Sequence, residues 1–585
     1  MRSRSILAAG TAALTLTAGL AGATLTANAV PAAPAAATTS QASTFIVLTA
    51  KGASAASVAK ALKAAGGTVT HVNRAIGMIE VSSGSASFAR RARALKGVQG
   101  VALDRSIGAT PTRAKGPDPV EQEHVFEKSR ANGTGKDVAP APAGHDPYDG
   151  MLWGMEMIGA IDAHATQTGD PGVSVGILDT GVSGTHPDLA ANFDQAASRN
   201  FTTDIEAIDG PCEYEGCVDP ADHDDNGHGT HVSGTIGAAL NGLGVSGVAP
   251  DVNLVNIRGG QDSGYFFLGP VTNALTYAGD AGLDVVNMSF YVDPWLWNCA
   301  GGAPEDAAYP EAIAEQEVIR AAMVRALDYA HGKGVTLVGA LGNSHEDLSN
   351  PRVDESSPDY DNPAYDWDAA PWARTIDNET CSDLPVEGPH VLGISSLGPS
   401  GAKADYSNYA TDLGSDELEF SAPGGWFRDG FGTASHRTNG NLILSTVSLE
   451  SLRESGEVDK NGNVTKPGRD AGVLKQCTAK PDGKANCGYY AWYQGTSMAS
   501  PHAAGVAALA VSAHGTKAAD GSVSMAPDAV RDVMTETATD MACPSPVISY
   551  ANEGRDPSFD AKCVGTADDN SIYGEGIVNA LGVVQ

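Results

Sequence analysis

Residues 173–182 read Val173-Ser174-Val175-Gly176-Ile177-Leu178-Asp179-Thr180-Gly181-Val182. An apolar, β-branched run that ends on a carboxylate and a turn glycine has the pattern of a strand buried on both faces. The pattern recurs at Val252–Ile257, Asp284–Met288 and Val335–Ala340. Between these runs, 270–282 and 311–333 read as helices, and another helical stretch starts near His228. Alternating strands and helices predict an α/β fold with a central, mostly parallel sheet covered on both faces. Val391–Ser395 and Leu442–Thr446 are read as extending that sheet. The segments near 344–390 and 412–490 are acidic and punctuated by Gly and Pro, and they read as surface insertions.

Toward the N-terminus the pattern changes. Arg2 and Arg4 precede an apolar stretch from Ile6 to Leu25, and Ala27-Asn28-Ala29 offers small residues for cleavage. Residues 1–29 therefore read as a signal peptide, and the expected location is secreted and extracellular. No later run is as long and apolar as a spanning helix needs, so no membrane partner is expected. Residues 30–43 form a Pro/Ala/Thr linker. Residues 44–105 then give strand, helix, strand, strand, helix, strand, the α+β arrangement of a small ferredoxin-like domain. Residues 106–144 carry little apolar periodicity and read as a processing linker, and 145–585 form the main body.

Charge divides along the same boundary. The first 110 residues hold 11 Lys/Arg against 2 Asp/Glu, and the remainder holds 26 against 68, for a total of −33. So acidic a body is a poor partner for nucleic acid. The sign change suggests that the two parts attract each other. The eight cysteines fit an oxidising compartment. Proximity pairs Cys212 with Cys217, Cys299 with Cys381, Cys477 with Cys487 and Cys543 with Cys563, out of the many connectivities eight cysteines allow. A zinc site is the rival reading, but the chain has no Cys-x-x-Cys.

Three segments carry chemistry: Ile177–Val182 with its Asp179, the run Asn226-Gly227-His228-Gly229-Thr230-His231, and Gly495-Thr496-Ser497-Met498-Ala499. Attack on a peptide bond at neutral pH needs an activated hydroxyl. A histidine in reach takes the serine proton, and a buried carboxylate fixes the imidazole tautomer. Asp, His, Ser is one of the known chain orders for that set. A serine at a helix start also lies near free N–H groups.

Together the three segments resemble the signatures of the subtilisin-like serine peptidases, from about residue 145 to the C-terminus. The resemblance implies a three-layer α/β fold and a serine-type endopeptidase that acts on protein and peptide substrates as a monomer. It makes Asp179 the orienting carboxylate, His228 the general base and Ser497 the nucleophile. Gly339-Ala340-Leu341-Gly342-Asn343 resembles the family's oxyanion stretch, with Asn343 as amide donor, and Asn287–Phe290 the strand that pairs with substrate. Structural calcium is a further implication. Its ligands would be Asp188, the Asn241 side chain, the carbonyls of Ala239, Leu243 and Val245, and Asp146. No organic cofactor is implied. Residues 44–105 resemble the family's inhibitory propeptides, so the chain's own propeptide becomes an expected intramolecular inhibitor, released by a cut between about Ile107 and His145.

Other readings weigh less. His231, one helical turn after His228, is read as a packing residue because His-Glu-x-x-His is absent; His186 and His502 are read as structural. Asp179-Thr180-Gly181 matches the aspartic-protease tripeptide, but its would-be partner Asp262-Ser263-Gly264 follows no apolar strand. Gly172–Gly176 matches G-x-S-x-G without the helix that motif needs. The sedolisin relatives use a glutamate where this chain has His228. An inactive binding module on the same fold is the alternative function, and a narrow processing enzyme is a third.

Overall fold

The computed structural model describes residues 42–103, 145–358, 372–415, 417–479 and 485–585. The expected signal peptide, nearly all of the 30–43 linker and the 106–144 linker lie outside them. A seven-stranded sheet forms the centre of the body. Its spatial order is 420–423, 391–397, 336–340, 285–288, 174–178, 253–258, 199–200, and every ladder is parallel. Strands 285–288 and 336–340 are buried at every position, and 174–178 at all but its first residue, as continuous apolar runs require.

From strand 174–178 the chain runs first to one side of the sheet, then returns to build the other side from 285–288 onward. The order therefore reverses between 174–178 and 285–288. In open parallel sheets the crevice beyond the carboxyl ends at such a reversal is where ligands bind. Asp179 and Ser289 are the residues that follow these two strands.

Helices His228–Gly237 and Thr496–His514 pack against each other on one face. The other face carries Leu268–Ala281 and Pro310–Gly332. The first pair is buried almost all round and rich in Gly, Ala and Ser, so the backbones approach closely. The second pair is amphipathic.

The small domain is an antiparallel sheet of β1 (Ser43–Thr49), β2 (Thr68–Asn73), β3 (Met78–Ser83) and β4 (Val98–Leu103), in the order β2-β3-β1-β4. Two helices, α1 (Ala55–Ala64) and α2 (Phe88–Arg93), cover one side. The period of two explains β1: Phe45 and Val47 join the domain's own core, while Ile46 and Leu48 face away from it. Those outward residues, with Ile76, Met78 and Ala102, enter one cluster with Val318, Ala322 and Met323 of helix 310–332. Burying each large side chain there is worth about 1.5–3 kcal/mol. Arg325 Nη1 donates to the carbonyls of Ile76 (2.9 Å) and Thr49 (3.1 Å), Asn73 donates to Thr276 (2.7 Å), and Arg93 pairs with Glu311.

Two expectations are corrected. Leu442–Thr446 does not extend the central sheet; Ile443–Thr446 pairs with Ala485–Tyr493 in a separate three-stranded antiparallel sheet with Leu474–Ala479. Nor is 412–490 all surface. Phe420–Pro423 is the fully buried edge strand of the central sheet, and Val447, Leu452 and Val458 anchor a core of their own. Those runs are short and interrupted, so hydrophobic pattern alone did not mark them. All four cysteine pairs are bonded as expected. Among the described residues no helix is long and apolar enough to cross a membrane.

Candidate active site

Asp179 sits fully buried at the end of strand 174–178. Its Oδ1 accepts from its neighbour's Thr180 N–H at 2.8 Å and lies 2.7 Å from His228 Nδ1. That contact sets the tautomer: Nδ1 carries the proton shared with the carboxylate, and Nε2 is the basic nitrogen. The histidine helix comes this close because Gly229 has no side chain; a Cβ there would lie 2.1 Å from the Gly181 carbonyl.

Asp224 holds the two segments together, and the sequence reading missed it. Its Oδ1 accepts from Gly227 N–H (2.9 Å) and the Thr180 hydroxyl (3.1 Å), and its Oδ2 from Thr230 N–H (3.0 Å) and hydroxyl (2.5 Å). It satisfies free N–H groups at the helix start while gripping the residue after Asp179. Burial raises its pKa, and hydrogen bonds from Thr230 and Gly227 counteract this. The available signal was an acidic residue four positions before His228, at a helix N-terminus.

Ser497 is the second residue of helix Thr496–His514 and 5% exposed. Gly495, just before the helix, has φ of 152°, a backbone that L side chains rarely adopt. Pro501 lies inside the first turns and has no N–H for the Ser497 carbonyl. That carbonyl accepts from the Ser289 hydroxyl instead, at 3.2 Å. The Ser497 hydroxyl in turn donates to the Ser289 carbonyl at 3.4 Å. Both bonds pin the helix start to the end of strand 285–288, at the reversal of the sheet.

Asn343 follows strand 336–340. Its Oδ1 accepts from Thr496 N–H (2.9 Å) and the Thr496 hydroxyl (3.0 Å). With its oxygen held, the amide N–H₂ is the end of the side chain left to meet a ligand. The structure thus brings Asp179, His228, Ser497 and Asn343 to one edge of the sheet.

The three histidines read as packing or structural residues are tied to backbone. His231 Nε2 lies 3.2 Å from the carbonyls of both Ile443 and Ala491, and its ring stacks on Tyr493. His186 Nε2 lies 3.1 Å from the Tyr489 backbone, and His502 Nδ1 lies 2.8 Å from the Met498 carbonyl. Burial lowers their pKa values to about 3, 4 and 4 respectively.

The residues read as calcium ligands also meet. Asp188 Oδ2 accepts from Val245 N–H (3.2 Å) and the Tyr490 hydroxyl (2.8 Å), and Oδ1 lies 3.3 Å from the Asn241 amide. Asp146 accepts from the N–H groups of Asn241 (3.2 Å) and Gly242 (2.5 Å). Ala239, Leu243 and Val245 are buried on the same loop. Burial pushes Asp188 up to about 7, with the Asp146 charge adding to it. Two buried carboxylates beside the 239–245 loop, met only by neutral donors among these contacts, fit a hard cation.

The model of the subtilase family, Peptidase S8, matches residues 170–576. Subtilisin Savinase of Lederbergia lenta is 34% identical over 192 residues, which are 33% of this chain and 55% of that protein. An alkaline protease of Alkalihalobacillus alcalophilus matches to the same identity over 39% of its length. Fervidolysin of Fervidobacterium pennivorans is 26% identical over 427 residues, 72% of this chain and 45% of that one. These matches span about half or less of the relatives' lengths. Among solved structures, an epidermin leader peptide processing serine protease from Staphylococcus aureus covers 93% of this chain and 99% of its own, at 17% identity and a TM-score of 0.57. Fervidolysin's structure covers 93% of this chain and 61% of its own, at 21% identity and a TM-score of 0.50. These two likenesses concern the fold, and with the family match over most of the body they lead to one conclusion: the chain belongs to the subtilase family.

Proposed function

We propose that the protein is a serine endopeptidase whose Asp179, His228 and Ser497 act as a triad. The observation that carries this reading is the 2.7 Å contact of buried Asp179 with His228 Nδ1, at the edge where Ser497 begins its helix. In the reaction His228 Nε2 takes the Ser497 proton as Oγ attacks the substrate carbonyl. Asp179 stabilises the imidazolium, and the proton then passes to the leaving amine. The tetrahedral oxyanion is met by the Asn343 amide and the Ser497 N–H, and water resolves the acyl-enzyme by the same steps in reverse.

The small domain at 44–105 acts as inhibitory propeptide, docked on helices 268–281 and 310–332 through the apolar cluster and the Arg325 bonds. The precursor is exported by its signal peptide and cuts itself within the 106–144 linker. The basic domain meets an acidic body, which favours docking at low salt. Calcium held by Asp188, Asn241, Asp146 and the carbonyls of Ala239, Leu243 and Val245 adds stability and supplies no chemistry to the reaction. Substrates are extracellular proteins and peptides, and the working form is a monomer.

The test compares intact mass and casein hydrolysis for wild type and Ser497→Ala. A wild type that loses its N-terminal region and cuts casein, beside an intact and inert variant, supports the reading. A variant that matures and cuts casein equally well overturns it and favours a binding module matured by an outside protease.

A further inference from the structure

Asp383 is a buried carboxylate that the proposed reaction does not use. It is 3% exposed, and its Oδ1 has no hydrogen-bond partner among the described residues. Its backbone is held on both sides: the carbonyl accepts from Glu387 N–H at 2.8 Å, and the N–H donates to the Glu387 carboxylate. Burial pushes the carboxyl up to about 8, opposed by the Arg352 charge. A carboxylate kept in such a place without a partner costs stability until something pairs with it.

Its place is beside Asn343. A Cβ on Gly342, the residue before Asn343, would lie 3.6 Å from Asp383 Oδ2 and 2.4 Å from Asn408 Nδ2. Gly342 has φ of 104°, where L side chains are rare, so glycine keeps the approach to Asp383 free of a side chain. On the other side, Val292 N–H donates to the Leu384 carbonyl at 2.8 Å. That bond ties the segment after strand 285–288 to the residue after Asp383. Asp383 is thus held between the chain leaving strand 285–288 and the chain leaving strand 336–340, two neighbours in the sheet.

The surrounding charge favours a cation. The Arg352 charge acts on Asp383, and it acts on Glu346, Glu387 and Glu417 as well. Arg352 Nη1 donates to the carbonyls of Leu348 (2.9 Å) and Asn350 (3.3 Å), and Nη2 lies 3.9 Å from Glu387, beyond hydrogen-bond reach. One guanidinium thus stands against four carboxyl groups. We propose, resting on the triad reading, that Asp383 selects substrates with a positively charged side chain, arginine before lysine, on the acyl side of the cut bond. With the substrate carbonyl at the Asn343 amide, the side chain of that residue enters between the two strand ends. Its cation then gives Asp383 charge-assisted hydrogen bonds, which a guanidinium makes two at a time. A leucine in the same place leaves the carboxylate buried and unpaired.

The test uses matured enzyme and peptide anilides that differ only in the acyl-side residue: Arg, Lys, Leu or Phe. Wild type should cleave the Arg substrate with kcat/KM about 10²-fold or more above the Leu substrate. Asp383→Asn removes the charge at nearly constant shape and should cut that ratio about tenfold or more. A merely structural role would lower both rates together and leave the ratio as it was. Butylguanidine, the arginine side chain without its peptide, should compete with the Leu substrate in the wild type, a reading that needs no variant to fold. A wild type that cleaves Leu as fast as Arg, or an unchanged ratio in Asp383→Asn, overturns the assignment and leaves the triad standing. Hydrolysis of no substrate removes the triad reading, and this assignment with it.

Discussion

On the face of the central sheet that carries Ser497, the buried titratable groups include neutral histidines. His231 and His502 belong to the two helices, His186 contacts the Tyr489 backbone, and burial lowers their pKa values to between about 3 and 4. On the opposite face one buried group, beneath the small domain, is an acid. Glu315 of helix 310–332 accepts from Trp295 Nε1 at 3.2 Å and leaves Oε1 unpaired beneath the small domain. Burial pushes it up to about 8, against weaker opposing effects from Trp295, Arg93 and the Leu103 backbone. The histidines bind fewer protons when folded, so their contribution is lost as pH falls from 6.5 toward 4. Glu315 binds more when folded, so its contribution is full below 4.5 and is lost as pH rises through about 8. One face buries histidines whose contribution acid removes; the other buries, beneath the small domain, a carboxyl whose contribution base removes.

The largest expected effect belongs to the first face. Asp179→Asn should lower kcat about 10⁴-fold through the wrong imidazole tautomer, with docking of the small domain unchanged. Steady-state hydrolysis of a peptide substrate measures it, and a loss in docking as well would break the separation. Asn343→Ala should cost about 10²–10³ in kcat with little change in KM, a magnitude taken from a subtilisin.

The second face should move docking alone. A Cβ at Gly100 would meet Val318 Cγ2 at 2.5 Å, so Gly100→Val overpacks the contact by about 1–3 kcal/mol. Hydrogen exchange in 42–103 and 310–332 of the Ser497→Ala chain should rise about tenfold, while kcat of matured enzyme stays constant. The smallest effect is the pH sign. Exchange across this contact, corrected for intrinsic rate, should increase from pH 6 to 9, and Glu315→Gln should flatten that rise. An equal rise in Glu315→Gln would place the pH dependence elsewhere.

The two faces were not equally legible in the sequence. Asp179, His228 and Ser497 were read from local runs, because each lies next to the strand end or helix start that positions it. The βαββαβ order of 43–103 was plain from period and breakers. Asp224 was missed because its partners, two backbone N–H groups and the Thr180 and Thr230 hydroxyls, come together only once the helix forms. Buried Arg258, 2.6 Å from Asp219 and 2.5 Å from Asp262, was missed because the loop before His228 and the end of strand 253–258 meet only in the folded chain. Strand 420–423 was missed because four residues ending in proline look like a loop until the neighbouring strand is present.

The most direct test is where a sulfonylating inhibitor lands. Wild-type enzyme treated with phenylmethylsulfonyl fluoride is digested and its peptides weighed. A single sulfonyl group on Ser497, absent after His228→Ala, is the result predicted from the 2.7 Å contact of Asp179 with His228 Nδ1, which leaves Nε2 as the basic nitrogen. Inhibition without label on Ser497, or equal labelling in His228→Ala, would contradict the triad at the centre of this account.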